Sequence, residues 1–407
     1  MCDAMKLRRG YLVSAAYAWI LFLAPVFMGV GSVAFAYDEL VEKKVFEIPF
    51  YMTVGGCTVK TVRTGYETYG KLNQDGDNAI LITPFFGGTS HAAGKYKSDD
   101  RFPGYWDGII GAGRPLDTNR FFVISIDGLA NPNIMDGITV TTGPASTDPD
   151  TGKRYGMTFP LITIRDLVNI EKTLIDYLGV KKIHTVMGAS MGGMQAFEWA
   201  AAYPDRVERI IPVVGTAQTD AFAIGTLESW MAPIMLDPHW KGGDYYGKEA
   251  PIDGIKVSMK AVLMQTRHPD WADKMFDRKW ATGDKDPAKS IGNLYAVQKF
   301  LDDASSDLAA KYDANHIIYQ VRAIQLFSVG GKDSLAEGLK EIKAKVLLMP
   351  AKNDLLFPLA QSSELRDLLI KQGNQVDFFE LDGPLGHLNG IIGISQASDR
   401  ITRFLSN

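Results

Sequence analysis

Cysteine is nearly missing from this chain: two occur in 407 residues, Cys2 and Cys57. Cys2 falls in a leader-like N-terminus, so a mature chain would keep one cysteine and could form no internal disulfide. No cluster of His, Cys and Asp has the spacing of a zinc site, so no metal is expected. The G-x-x-x-x-G-K-S/T loop and the dinucleotide fingerprint are both absent, so no nucleotide cofactor is expected. The formal net charge of −4 leaves no basic patch for nucleic acid. Internal repeats are missing too. After the N-terminus no apolar run is long enough to suggest a membrane span.

What is present is a globular composition, 46% hydrophobic and 22% charged. The N-terminus itself reads as a Sec-type signal peptide, residues 1–36. Lys6, Arg8 and Arg9 supply the positive region, Tyr11 to about Val30 the apolar region, and Ala34-Phe35-Ala36 an A-x-A cleavage site before Tyr37. Met5 is an alternative start. The expectation is a periplasmic or secreted protein, membrane-bound only if the signal stays uncleaved.

The most informative motif is Gly188-Ala189-Ser190-Met191-Gly192. It follows the strand-like run Ile183 to Met187 and precedes a helix-like run, Met194 to Tyr203. G-x-S-x-G between strand and helix is the nucleophile elbow. The turn is tight, so glycines must flank it, and the helix N-terminus behind it favours developing negative charge. Without that context the pattern is common, and Ser190 could simply sit in a glycine-rich turn.

A nucleophilic serine needs a base, and the base an orienting acid. In this architecture the chain order is Ser, acid, His. Asp354 follows the strand-like Val346 to Pro350, at the carboxyl end where such sheets place their sites. His387 follows a second strand-like run, Val376 to Leu381, and the turn Asp382-Gly383-Pro384. The competing assignments are a helix N-cap for Asp354, ahead of Leu359 to Leu369, and a surface-loop histidine for His387. Two amides should bind the oxyanion. One belongs to Met191, the residue after the nucleophile. The other is assigned to Phe86, in the loop Pro84 to Gly88 after the strand Ala79 to Thr83; these aromatics could instead merely cap the sheet.

Other histidines compete poorly. His184 lies within a strand, His91 near the oxyanion loop could line a pocket but reads better as structural, and His239, His268 and His316 fall in a middle region. Cys57, in an early hairpin, is expected to be buried rather than catalytic.

Strand and helix alternate from about Ile80 to Pro212, as a parallel sheet requires. Residues 37–70 read as an antiparallel edge. From 216 to 326 the character turns helical and rich in Met and Trp. The expected organisation is an α/β core, residues 37–215 and 327–407, with a helical cap insertion, residues 216–326. Met231, Met235, Met259 and Met264 are candidates for an acyl pocket or a partner groove, with ordinary core the preferred role for most.

Several segments resemble the homoserine O-acetyltransferase family of the α/β-hydrolase superfamily. They are Tyr66 to Gly70, Thr142 to Ser146, Phe159 to Asp166, Gly188 to Trp199, Tyr203 to Arg206, Asp237 to Trp240 with Gly243 to Tyr246, and Asp354 to Pro358. The resemblance implies the α/β-hydrolase fold, a mostly parallel sheet with helices on both faces and an inserted helical cap. It implies a triad at Ser190, Asp354 and His387, and a homodimer formed through the cap. It also exposes departures. The positions implied for the family's homoserine-binding Arg and Tyr hold Met259 and Thr266, with Lys260 adjacent. Leu388-Asn389 follow the histidine where the family usually has Asp, and 131–138 replace a glycine-rich stretch.

The expected function is therefore acyl transfer through an acyl-enzyme: ester hydrolysis, or transfer to a small alcohol, by an exported enzyme without a cofactor. An exported enzyme would lack acetyl-coenzyme A, a cytoplasmic metabolite. The alternatives are a true homoserine O-acetyltransferase using acetyl-coenzyme A, and a non-catalytic binding protein on the same fold.

Overall fold

The computed structural model describes residue 37 and residues 39–406. The expected signal, residues 1–36, lies outside the described residues. The chain begins with a hairpin, β1 (Lys44–Met52) and β2 (Thr58–Tyr69), paired antiparallel. Cys57 sits at its turn and is exposed, not buried as the sequence suggested. The turn is closed locally: Thr53 N donates to Cys57 O at 2.8 Å and Cys57 N to Thr53 Oγ1 at 3.1 Å. That closure holds the thiol at the hairpin tip, away from the core.

Next come β3 (Ala79–Thr83), a small separate pair β4 (Ile110–Gly111) and β5 (Leu116–Asp117), and β6 (Phe122–Ile126). Helix α1 (Ile164–Tyr177) starts from a capping box between Thr163 and Asp166. It is followed by β7 (Ile183–Ala189), α2 (Met191–Ala202) and β8 (Val207–Val213). A helical stretch then runs through α3 (Ala221–Leu236), α4 (Ile252–Gln265), α5 (Pro269–Met275), α6 (Ala296–Ala309), α7 (Ala314–Gln325) and the short α8 (Leu335–Leu339). The sheet resumes with β9 (Lys345–Leu348), then α9 (Leu359–Lys371), β10 (Val376–Phe378) and α10 (Ser398–Ser406).

Eight strands form one sheet in the order β1-β2-β6-β3-β7-β8-β9-β10. From β6 to β10 in that order all neighbours run parallel; β1 and β2 form the antiparallel edge. The strand β3 is buried at every position, the pattern of a strand covered on both faces. Alternate side chains divide between two cores, as the strand period of two requires. Leu81, Ile124, Val186 and Ile210 pack with α1 and α2. Ile80, Val123, Met187 and Ile211 pack with Trp106 and with Ile401 and Phe404 of α10. This is the α/β-hydrolase arrangement that the sequence implied.

The helical stretch leaves and rejoins the core at one place. Thr219 N donates to Phe327 O at 3.0 Å and Val329 N to Ala217 O at 2.9 Å. These bonds tie its two ends together just beyond β8, beside the carboxyl ends of the parallel strands.

Candidate active site

Ser190 stands between β7 and α2 with φ 56° and ψ −118°. Few non-glycine residues adopt such a conformation, which costs on the order of 1–3 kcal/mol. The surroundings enforce it. A Cβ on Gly188 would lie 2.1 Å from Thr83 Oγ1, and one on Gly192 would lie 2.4 Å from Thr83 O. Thr83 Oγ1 donates to Gly192 O at 2.8 Å, and Ser190 N donates to Val213 O at 2.8 Å. The elbow is thus clamped between the ends of β3 and β8.

Asp354 and His387 meet although 33 residues separate them. His387 Nδ1 and Asp354 Oδ2 are 2.7 Å apart. The other carboxylate oxygen, Oδ1, accepts from Leu356 N at 2.8 Å and Phe357 N at 3.0 Å. Those bonds fix the carboxylate rotamer, and they belong to the turn before α9; the residue at the N-cap of α9 is Pro358. With Oδ2 accepting, Nδ1 carries the proton and Nε2 is left with a lone pair. His387 Nε2 is buried and has no hydrogen-bond partner among the described residues.

Ser190 and His387 line one cavity of about 120 Å³. Its walls come from both parts of the chain: Phe85, Phe86 and Gly87 from the loop after β3, Leu388 and Ile391 from the histidine loop, and Trp230, Met259 and Leu308 from α3, α4 and α6. Most of these side chains are apolar, which keeps the local dielectric low and electrostatic effects strong.

The amide of Met191 opens α2, so it is one of the helix's unsatisfied N–H groups. The loop carrying Phe86 is braced from three directions. Gln195 Nε2 donates to Pro84 O at 2.8 Å, Gly87 N donates to Gln320 Oε1 at 3.3 Å, and Asn133 Nδ2 donates to Gly87 O at 2.6 Å. Asn131 Nδ2 adds a bond to Gly88 O at 2.6 Å. These braces were not legible in the sequence. Asn131 and Asn133 lay in a stretch noted only as a departure, and no local pattern marks Gln320.

Three other histidines are held in packing or loop contacts. His91 is buried, with Nδ1 3.2 Å from Glu67 Oε2 and its ring stacked on Tyr96. His316 clamps two loops: Ala145 N donates to Nε2 at 3.0 Å, and Nδ1 lies 2.9 Å from Asn131 O. His184 packs against Phe121, and burial pushes its pKa down to about 4. Of the four candidate methionines, Met259 lines the cavity and Met231 is core, whereas Met235 and Met264 are partly exposed.

The α/β-hydrolase fold family matches residues 102–393. The homoserine O-acetyltransferase of Methanococcoides burtonii is 37% identical over 353 residues, spanning 87% of this chain and 71% of that one. That of Carboxydothermus hydrogenoformans is 34% identical, spanning 90% of this chain and 95% of its own. The chain belongs to the homoserine O-acetyltransferase family of the α/β-hydrolase superfamily. Among solved structures, esterase E22 superposes with a TM-score of 0.86 at 43% identity, over 90% of this chain and all of the other. The homoserine O-acetyltransferase of Bacillus anthracis also superposes at 0.86, with 36% identity over 91% of this chain and 98% of its own.

Within this family the departures acquire positions in space. Met259 and Thr266, at the positions implied for the family's Arg and Tyr, both line the cavity. Lys260 does not restore a cation there; its Nζ pairs with Asp302 on the partly exposed outer side. A different cation, Arg267, lines the cavity and is 3% exposed. No motif or spacing in the sequence singles it out.

Proposed function

We propose that this protein transfers acyl groups through an acyl-enzyme on Ser190, with His387 as base and Asp354 as the group that orients it. The observation that carries this reading is the 2.7 Å contact of His387 Nδ1 with Asp354, on a histidine whose free Nε2 shares a cavity with the strained Ser190. His387 Nε2 takes the serine proton as Oγ attacks the carbonyl carbon. Asp354 holds the tautomer and stabilises the imidazolium. The amides of Met191 and Phe86 receive the oxyanion, each lowering the barrier by roughly 2.7–4 kcal/mol. His387 then protonates the leaving alcohol. Water, or an acceptor alcohol deprotonated by His387, resolves the acyl-enzyme. The helical segment 216–326 acts as a cap that completes the acyl pocket.

Ester hydrolysis, or transfer to a small alcohol, is the preferred form. Two features support it: the expected export, away from acetyl-coenzyme A, and the replacement of the implied homoserine-binding pair by Met259 and Thr266. The family relationship favours the second reading, a homoserine O-acetyltransferase, which homoserine-dependent consumption of acetyl-coenzyme A would establish. Ser190→Ala should lower p-nitrophenyl acetate turnover by more than about 10³-fold with the fold intact by circular dichroism. Wild-type enzyme should be labelled at Ser190 by a fluorophosphonate. Undiminished turnover in the variant would remove Ser190 as nucleophile, and complete inertness of the wild type would favour a binding protein.

A further inference from the structure

Arg267 follows the C-terminus of α4, where Thr266 is the cap. Its backbone lies against the histidine loop: a Cβ on Gly386 would come within 3.2 Å of Arg267 C and 2.9 Å of His268 N. The guanidinium face stacks on Trp271, 4.8 Å from the ring centroid. Nη1 donates to Leu263 O at 2.8 Å, which satisfies one carbonyl at the helix end. Nε is buried without a partner. No other hydrogen bond or ion pair engages the group among the described residues, and burial alone lowers its pKa, to about 10. It therefore stays cationic at neutral pH.

A buried cation without a counter-charge is costly, and an unpaired buried donor adds to that cost. A helix-end carbonyl alone could be satisfied by a neutral donor. The ring of Trp271 and the bond to Leu263 O hold the guanidinium plane in place. No bond occupies Nη2, and a guanidinium donor held in this way suits a carboxylate oxygen.

We infer that Arg267 is the anion-recognition residue of this pocket, and that the substrates are esters carrying a carboxylate. This inference rests on the acyl-transfer reading above and names its substrate class. The carboxylate could belong to the acyl part or to the alcohol part, and the chemistry of recognition is the same for both. Arg267 is distinct from the positions implied for the family's amino-acid clamp, which here hold Met259 and Thr266. With one anchor at Arg267, the charged end is fixed while the ester carbonyl lies between Ser190 and the oxyanion amides.

The test compares charged and neutral esters of matched shape. On the acyl side the pair is p-nitrophenyl hydrogen succinate and p-nitrophenyl butyrate; on the alcohol side it is acetoxyacetate and its methyl ester. Wild-type enzyme should favour the charged member of one pair in kcat/KM, and that pair identifies the source of the carboxylate. In Arg267→Met the charged-to-neutral ratio should fall by about tenfold or more, chiefly through KM. Arg267→Lys should recover part of the ratio, because it keeps the charge but not the fork. A ratio that is unchanged in both variants while all rates fall together would make Arg267 purely structural and overturn the inference. So would a wild type that disfavours the charged member of both pairs. Calorimetric binding of succinate to wild type and to Arg267→Met provides a readout independent of the nucleophile. Differential binding would support the anion site even if Ser190→Ala stayed active, whereas equal binding or none would count against Arg267 and leave the nucleophile untouched.

Discussion

Single residues carry the chemistry, and their burial has consequences beyond the site. Glu171 on α1 is fully enclosed; Trp199 Nε1 donates to its Oε2 at 2.6 Å, and Oε1 has no partner. Burial pushes its pKa up to about 8. The folded state therefore favours the protonated acid. Its contribution is fully present below the ordinary carboxylate range and is lost as pH rises through about 8. Glu171→Gln keeps an acceptor for Trp199 without the charge. The expected result is a melting temperature that falls less steeply than wild type over that interval; parallel melting curves across the interval would contradict it. Nothing in the local sequence marks Glu171 as special, because its surroundings come from α2, distant in the chain. Ser190 is the opposite case. Its glycine neighbours announce it, since only a tight turn between strand and helix requires small residues on both sides.

At the scale of elements, the β7–α2 junction packs tightly against the end of β3. Gly188→Ala would place its new Cβ 2.1 Å from Thr83 Oγ1 and 2.6 Å from Gly192 C. Something must shift, and overpacking of this kind costs about 1–3 kcal/mol or more. Urea unfolding should show a lower midpoint, and turnover should fall with the displaced elbow. Gly225 on α3 offers the reverse case, with nothing within 4 Å of an added Cβ. Gly225→Ala should raise stability by about 0.5–1 kcal/mol, because alanine restricts the unfolded chain and favours helix. The elements around the elbow were legible in the sequence because strand runs such as Ala79 to Thr83 are short, apolar and bounded by turn residues. Helix α2 begins three residues before the Met194 start read from the sequence, since Gly192 and Gly193 hide it from propensity. The braces on the loop Pro84 to Gly88, Gln320 from α7 and Asn131 and Asn133 from the loop after β6, were not legible. A hydrogen bond between distant segments leaves no periodicity to read.

At the scale of the whole molecule, the helical segment closes over the carboxyl ends of the strands and turns an open sheet edge into a walled cavity. Tyr37, the residue after the expected cleavage site, packs its ring edge-on against Tyr69 at 5.1 Å. Cleavage after Ala36 would leave that contact in place. Full-length protein expressed in a bacterial host with a Sec pathway should yield a periplasmic form whose N-terminal residue is Tyr37, by intact mass and N-terminal sequencing. A cytoplasmic, unprocessed product would reverse the export reading and reopen acetyl-coenzyme A as donor. The sequence by itself determined the fold class and the positions of the turns that carry Ser190, Asp354 and His387. Those features follow from local patterns, apolar period and small residues in tight turns, that neighbouring residues alone can write. The tertiary structure decided which groups share the cavity: Arg267 inside it, Lys260 outside, and Cys57 at the surface. Each depends on how a helix face or hairpin tip is rotated against segments far away in the chain, and that rotation is set by packing of the whole.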